Sequence, residues 1–384
     1  MWLRYGINIK NELVEVEDVP SGKTNLRCPY CGGALVAKKG KVKQHHLSHS
    51  GETCNIVVTR EQREVPRLPL YDAFDIFLSG KELEQLKKLW HRHKAHNNGI
   101  DRLEILPAFN REALVERSHS INPATGRNAY QFTKLGQIPV GALPLTEFNS
   151  VQEPLIIQKL AQLESAIFDN SGSVLPREQL LIRLTDLRIY CAPMQKILLA
   201  SLYYLKVQAD SEIIYKIGIT TRPMHKRIAE INRDLRSHYQ TVDIEVLNVW
   251  AHRGNVERYF KYRYCDFNHP IGSLTEYFKF ADPQSVERDL HEMEAKVLSP
   301  VERDIVDGKQ DLALAALLAD SQFAAGNVRV SARLEAELKQ AFLSKPSSQR
   351  VIAALHQGCS LRDAAAMALV SVDTARKVLA VMQT

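Results

Sequence analysis

The sequence predicts an α+β chain of several domains: a small cysteine- and histidine-bearing module at the N-terminus, a central α/β sandwich with a small mixed sheet, and a helical C-terminal region. Three observations carry this reading. Cys28, Cys31, His46 and His49 fall at metal-ligand spacing. Between Ser201 and Phe280, aromatic strand-like runs alternate with a basic helix. From Pro283 onward the apolar spacing is helical, with Ser, Gly and Pro at the breaks. A chain of 384 residues has room for about two or three domains.

An apolar fraction of 45% and a charged fraction of 24% suit a water-soluble globular chain. The net charge of +6 is mildly basic and compatible with a nucleic-acid partner. The basic excess is concentrated: residues 21–50 carry Lys23, Arg27, Lys38, Lys39, Lys41 and Lys43 and no acid. Lys38, Lys39, Lys41 and Lys43 are candidates for facing phosphate, with a solvated hairpin face as the alternative. No apolar leader opens the sequence, and the longest apolar run, Ile197 to Leu205, is too short for a bilayer. A cytoplasmic location without a membrane partner is therefore expected. Of six cysteines, three cluster near the start and three are scattered, a pattern of metal binding rather than disulfides.

Residues 1–66 form the first module. Cys28 and Cys31 make a C-x2-C knuckle, followed by Gly32-Gly33. His46 and His49 make an H-x2-H pair, with His45 and Cys54 as spare donors. The run between them alternates and turns at Gly40, so a hairpin would return the histidines to the knuckle. Two thiolates and two imidazoles suit tetrahedral Zn2+, and four protein donors make the site structural. The stretch resembles the opening motif of CoiA-like competence proteins, with His46-Leu47-Ser48-His49 in the place of that family's histidine pair. Over about thirty residues, this implies a zinc-ribbon-like module on a DNA-handling protein, without catalytic residues.

Residues 67–190 read as a mixed helical and irregular region without an assigned role. Leu70, Phe74, Phe77 and Leu78 form one helical stripe, and Leu83, Leu86 and Leu89 another. His91, His93 and His96 read as a basic helix end rather than a metal group, because their flanks are polar and hold no cysteine or carboxylate. Pro107, Pro123, Pro139 and Pro144 punctuate irregular strands and loops. Two amphipathic helices over 152–187 break around 170–173 and Pro176.

Residues 191–282 carry the chemistry. Lys196 to Val207 reads as a buried strand, Gln208 to Ser211 as a turn, and Glu212 to Ile219 as the returning strand. Side chains alternate along strands, so Tyr203 and Tyr204 face opposite ways, as do Tyr215 and Lys216. Gly218 permits close backbone approach, and Pro223 suits a first helical turn capped by Thr221 or Arg222. Met224, Ile228, Ile231 and Leu235 share a helix face. Lys226 and Arg227 lie off it, near a helix start that favours phosphate.

This order resembles the GIY-YIG endonuclease superfamily, in its divergent branch. Leu202-Tyr203-Tyr204 stands for the first triplet, Lys216-Ile217-Gly218 after Tyr215 for the second. Arg227 stands for the arginine of the next helix, and Glu257 for the glutamate of the last. Thr275-Glu276-Tyr277-Phe278 stands for the family's closing motif. The first triplet lacks its glycine and isoleucine, Lys216 replaces a tyrosine, and the family's late asparagine has no counterpart. The resemblance implies Mg2+-assisted phosphodiester hydrolysis. Tyr204, its pKa lowered by Lys216 or the metal environment, would help take a proton from water, Glu257 would hold Mg2+, and Arg227 would clamp the phosphate, with Tyr215 also in the catalytic set. The plainer alternative makes the tyrosines core residues and Glu257 with Lys261 a surface pair.

Residues 283–345 read as a helical connector, with Pro346-Ser347-Ser348 as a linker. Three helices follow over 346–384, closed by Gly358 and capped by Ser360 and Ser371. They resemble a helix-turn-helix, which implies that Ser371, Asp373, Thr374, Arg376 and Lys377 face DNA. A helical oligomerisation hairpin is the alternative. The expected whole is an Mg2+-dependent, zinc-bearing DNA endonuclease. Against it stands a non-catalytic DNA- or RNA-binding regulator that keeps the fold. Homo-oligomerisation stays open, and a mobile-element or phage role is analogy only.

Overall fold

Five short antiparallel strands open the chain in the computed structural model, in the order Leu13–Glu15, Tyr5–Ile7, Gly22–Arg27, Ala34–Lys38, His46–His49. The structure describes residues 3–40, 45–61, 76, 78–94, 99–122, 125–319 and 330–384. It is α+β and about half helical. The chain divides into two compact units, one of Met1–Val65, Pro154–Gln195 and Ser299–Thr384, the other of Pro66–Glu153 and Lys196–Leu298. The stretch 67–190 is thus shared between them. No described helix is long and apolar enough to cross a membrane.

In the first unit, Leu3, Val16, Leu26, Leu35, Ala37, Leu47 and Val57 close a small core beneath the five strands. Tyr30 donates to Asp186 Oδ1 at 2.7 Å, and Arg188 pairs with Asp311 at 2.6 Å. A second core of this unit is helical and includes Phe168, Leu184, Leu334, Phe342, Val351 and Val378. Pro346 is not a linker residue. It is the first residue of helix Pro346–His356, where its missing N–H costs nothing, and Ser347 and Ser348 are buried. Helix Leu361–Ala368 follows, capped by Ser360, and Leu369 takes the left-handed conformation at φ 57°. Ser371 then caps helix Val372–Gln383.

In the second unit, helix Gly80–His93 starts at a capping box of Ser79 and Glu82, as its leucine stripe leads one to expect. The stripe residues Leu70, Phe74 and Phe77 lie outside the described residues. His91 and His93 end that helix, and His93 pairs with Glu104 at 3.0 Å; His96 lies outside the described residues. A hairpin of Val115–Ile121 and Asn128–Phe132, its register shifted between Arg117 and Ile121, lies where irregular strands and loops were expected.

The site is built on a four-stranded sheet: β1 (Ser201–Ala209), β2 (Glu212–Thr220), β3 (Val242–Ala251) and β4 (Tyr277–Phe278), in the order β3-β1-β2-β4. Every pairing is antiparallel, which corrects the mixed sheet expected from sequence. A two-residue turn, Asp210-Ser211, reverses β1 into β2, with Asp210 at φ 49°. Lys196 to Leu199 is helical rather than part of β1, because a continuous apolar run does not mark where a buried helix gives way to a strand. Helix α1 (Met224–Leu235) packs Ile231 and Leu235 against Leu205, Val207 and Ile214 on one face. Each such side chain contributes about 1.5–3 kcal/mol by burial. Pro223, not Thr221 or Arg222, is its N-cap residue. Helix α2 (Val256–Arg263) contributes Val256, Tyr259 and Phe260 to a core with Leu202, Tyr204, Ile217 and Phe278 from the other face.

Candidate active site and metal centre

The metal centre grows from a tight knuckle. Cys28 N–H donates to the Gly33 carbonyl at 2.8 Å, and Gly32 N–H returns to the Cys28 carbonyl at 2.9 Å. Gly32 sits at φ 72°, a conformation that favours glycine. His49 ends its strand with Nε2 3.2 Å from Cys31 Sγ. Donor atoms of Cys28, Cys31, His49 and Cys54 all lie within 4.8 Å of one another. Tetrahedral zinc spaces such donors by about 3.5–4 Å, so three thiolates and an imidazole fit it. Burial, more than any neighbour, pushes the Cys28 thiol up to about 12; an ion binding there would displace its proton.

This donor set corrects the expected one. His46 and His49 are three residues apart on one strand and so point to opposite faces. His49 joins the cluster, and Cys54, just before helix Asn55–Glu61, takes the place expected for His46. His45 pairs with Glu17 at 2.9 Å.

The second site lies on the α1 face of the sheet. Cross-strand partners share a face, and β1 and β2 pair Tyr203 with Gly218 and Leu205 with Lys216. β4 adds Tyr277 opposite Lys216. Tyr203, Lys216, Gly218 and Tyr277 therefore look one way. The Tyr203 hydroxyl lies over Gly218, where a Cβ would come within 2.3 Å of it. Arg227, from the first turn of α1, donates Nε to that hydroxyl at 3.2 Å and Nη1 to Glu230 at 3.1 Å.

A chain of charges continues from there. Lys216 Nζ lies 2.9 Å from Glu276 Oε2 and 4.5 Å from the centre of the Tyr277 ring. Lys261 Nζ bridges Glu276 Oε1 at 2.7 Å and Glu257 Oε1 at 3.0 Å. Burial raises the Tyr203 hydroxyl pKa; Arg227 opposes this, and Glu257 and Glu276 add to it. Burial also draws the Lys216 ammonium down, against the pull of Glu276. Burial would raise the Glu276 carboxyl, but Lys216 and Lys261 outweigh it and hold it at about 2. Arg227 is buried enough to be drawn down, yet Tyr203 and Glu230 push it up, so it stays a cation.

Of the residues expected here, Arg227, Lys216 and Glu257 join this charged group. Tyr204 and Tyr215 do not. Tyr204 is fully buried on the α2 face, stacked on Tyr215 with centroids 5.7 Å apart and 6.3 Å from Phe260. Its hydroxyl is buried without a hydrogen-bond partner among the described residues, and burial drives its pKa up. Tyr203, Glu276, Lys261 and Tyr277 were missed as site residues. The signal for Tyr203 was present: counting back from a two-residue turn at Asp210-Ser211 pairs it with Gly218.

The expected nucleic-acid contacts are dispersed. Lys38 and Lys226 are exposed, and Lys39 pairs with Glu17 at 3.8 Å. Lys41 and Lys43 lie outside the described residues. Thr374 is buried, with Oγ1 2.9 Å from Ser371 Oγ and 3.3 Å from Ser165 Oγ, so it cannot face a groove as expected. Arg376 and Lys377 both pair with Asp373, at 3.3 and 3.6 Å.

The residues of this charged group do not fit Mg2+ as they stand. Mg2+ binds through one or two carboxylates and waters. Here an ammonium sits on each carboxylate of the pair, Glu257 and Glu276.

Residues 200–297 match the T5orf172 domain family, a span that holds every residue of the charged group and none of the cysteine cluster. No curated protein and no solved structure matches the chain.

Proposed function

We propose that the 200–297 region hydrolyses phosphodiester bonds of DNA as an endonuclease, with a layout of the GIY-YIG kind. The T5orf172 match supports a DNA-acting role, since that domain is associated with endonuclease-like proteins. The observation that carries the reading is the convergence of Tyr203, Arg227 and Lys216 on one sheet face beside Glu257 and Glu276. Arg227 binds the non-bridging phosphate oxygens and stabilises charge as a water oxygen adds to phosphorus, with the buried positive charge of Lys216 behind it. Tyr203 keeps its proton at neutral pH. Its oxygen accepts from Arg227, and its O–H donates to the departing sugar oxygen as the P–O bond breaks once binding has uncovered this buried ring. The proton of the attacking water goes to the Glu257 carboxylate or to solvent. The three-thiolate, one-imidazole cluster holds a structural zinc that orders the N-terminal strands.

The test is cleavage of labelled duplex and single-stranded DNA, and of RNA, by the wild type and Arg227→Ala. A loss of about 100- to 1000-fold in rate is expected for the variant, the size typical of a removed oxyanion donor. DNA binding without cleavage by the wild type would instead favour the regulator reading.

A further inference from the structure

Lys261 stands one helical turn after Glu257 on α2, so the backbone itself sets its ammonium beside that carboxylate. It reaches Glu276 as well, a residue brought in by the chain just before β4. One nitrogen thus sits between two carboxylates that are far apart in sequence. Glu257 is largely shielded, with 15% of its side chain exposed, so its partner matters. The other Glu276 oxygen is taken by Lys216, whose side chain is only 5% exposed. On the Arg227 side, Arg222 and Arg227 share Glu230. Four cations pair with these three carboxylates, and Asp234 of α1 acts on Tyr277 beside them. A divalent ion would meet the Lys261 ammonium at contact distance.

We infer that Lys261 is the tethered cation of the cleft: its ammonium fills the place between Glu257 and Glu276 that a divalent ion would take, and the cleft binds a phosphate group without a divalent metal. This rests on the reading of the cleft as a phosphodiester site. Lys261 holds the two carboxylates in register, which leaves Arg227, the more exposed cation, to meet the phosphate. Lys261 ties both carboxylates, so its loss frees Glu257 and leaves Glu276 paired with Lys216 alone.

The experiment uses the zinc-loaded full chain and Mn2+ as probe, with free Mn2+ followed by electron paramagnetic resonance and no DNA present. The wild type should show no Mn2+ site in the cleft, seen as titrations unchanged by Glu257→Gln. Lys261→Ala should gain one site of at least about tenfold higher affinity, because the like charge is gone. Adding Glu276→Gln to Lys261→Ala should abolish the gain and so locate it. Wild-type Mn2+ binding that Glu257→Gln removes would overturn the inference. So would a folded Lys261→Ala variant, judged by an unchanged melting temperature, that gains no site. The readout does not involve cleavage. A wild type that cuts no nucleic acid, with the Mn2+ pattern as expected, would sink the endonuclease reading and leave the tethered cation standing.

Discussion

Tyr203 and Tyr204 are neighbours on one strand, equally buried, and their surroundings have nothing in common. The Tyr204 ring lies in an aromatic core with Tyr215 and Phe260, and its hydroxyl meets no partner among the described residues. The Tyr203 hydroxyl is held by Arg227 above a glycine, on a face that also carries Lys216. The pleat alone separates a tyrosine of the aromatic core from one on the charged face. The same rule separates His46 from His49 in the N-terminal strands.

The largest effect should come from the histidines. His49→Ala removes a zinc donor, whereas His46→Ala should keep about one zinc per chain. A structural zinc supplies about 10–16 kcal/mol of apparent binding energy, so His49→Ala should also loosen the N-terminal strands. Metal analysis and amide exchange over residues 3–61 check both. Zinc loss from His46→Ala as well as from His49→Ala would restore the expected donor set.

Next comes the aromatic face. Phe260 touches Tyr204, Tyr264, Phe278 and Phe280 ring to ring. Phe260→Ala should cost about 3–5 kcal/mol in denaturant unfolding. A cost under about 1 kcal/mol would show that this face is not a packed core.

Gly218→Ala tests the polar face from beneath. Its Cβ would lie 2.3 Å from Tyr203 Oη, so the ring must shift and Arg227 must lose its partner. A cost of about 1–3 kcal/mol is expected, together with slower cleavage. Adding Tyr203→Phe removes the hydroxyl contact but leaves Cζ 2.6 Å from that Cβ, so it should recover little of the stability and none of the rate.

The smallest effect is that of pH. Glu276 is held at about 2 in the fold, against 4.5 for a free glutamate. The folded-state value is depressed, so its contribution is complete above 4.5 and is lost as pH falls from there toward 2. With 40% of its side chain exposed, the contribution is at most about 1 kcal/mol. Glu276→Gln should flatten the stability profile over that window.

Local chemistry was legible in the sequence. The Cys28-Cys31 knuckle, the caps at Ser360 and Ser371, and the apolar face of α1 all depend on residues a few positions apart. Arg227, Lys216 and Glu257 could be named because a family resemblance supplied their order. The choice between Tyr203 and Tyr204 could not be made from motif position, because register depends on where the turn falls. Glu276 and Lys261 read as a motif residue and a surface pair, since only the folded sheet edge joins them. Pro346 looked like a break because proline both ends and starts helices, and only packing of Ser347 and Ser348 decides which.

The most direct test of the Tyr203 assignment sets Tyr203→Phe beside Tyr204→Phe in one DNA-cleavage assay, with melting temperatures measured in parallel. Tyr203→Phe should slow cleavage by about 100-fold or more at nearly unchanged stability. Tyr204→Phe should leave the rate within about twofold and raise stability, since it removes an unpartnered buried hydroxyl. A rate lost with Tyr204→Phe and kept with Tyr203→Phe would contradict the assignment of the chemistry to the Tyr203 face.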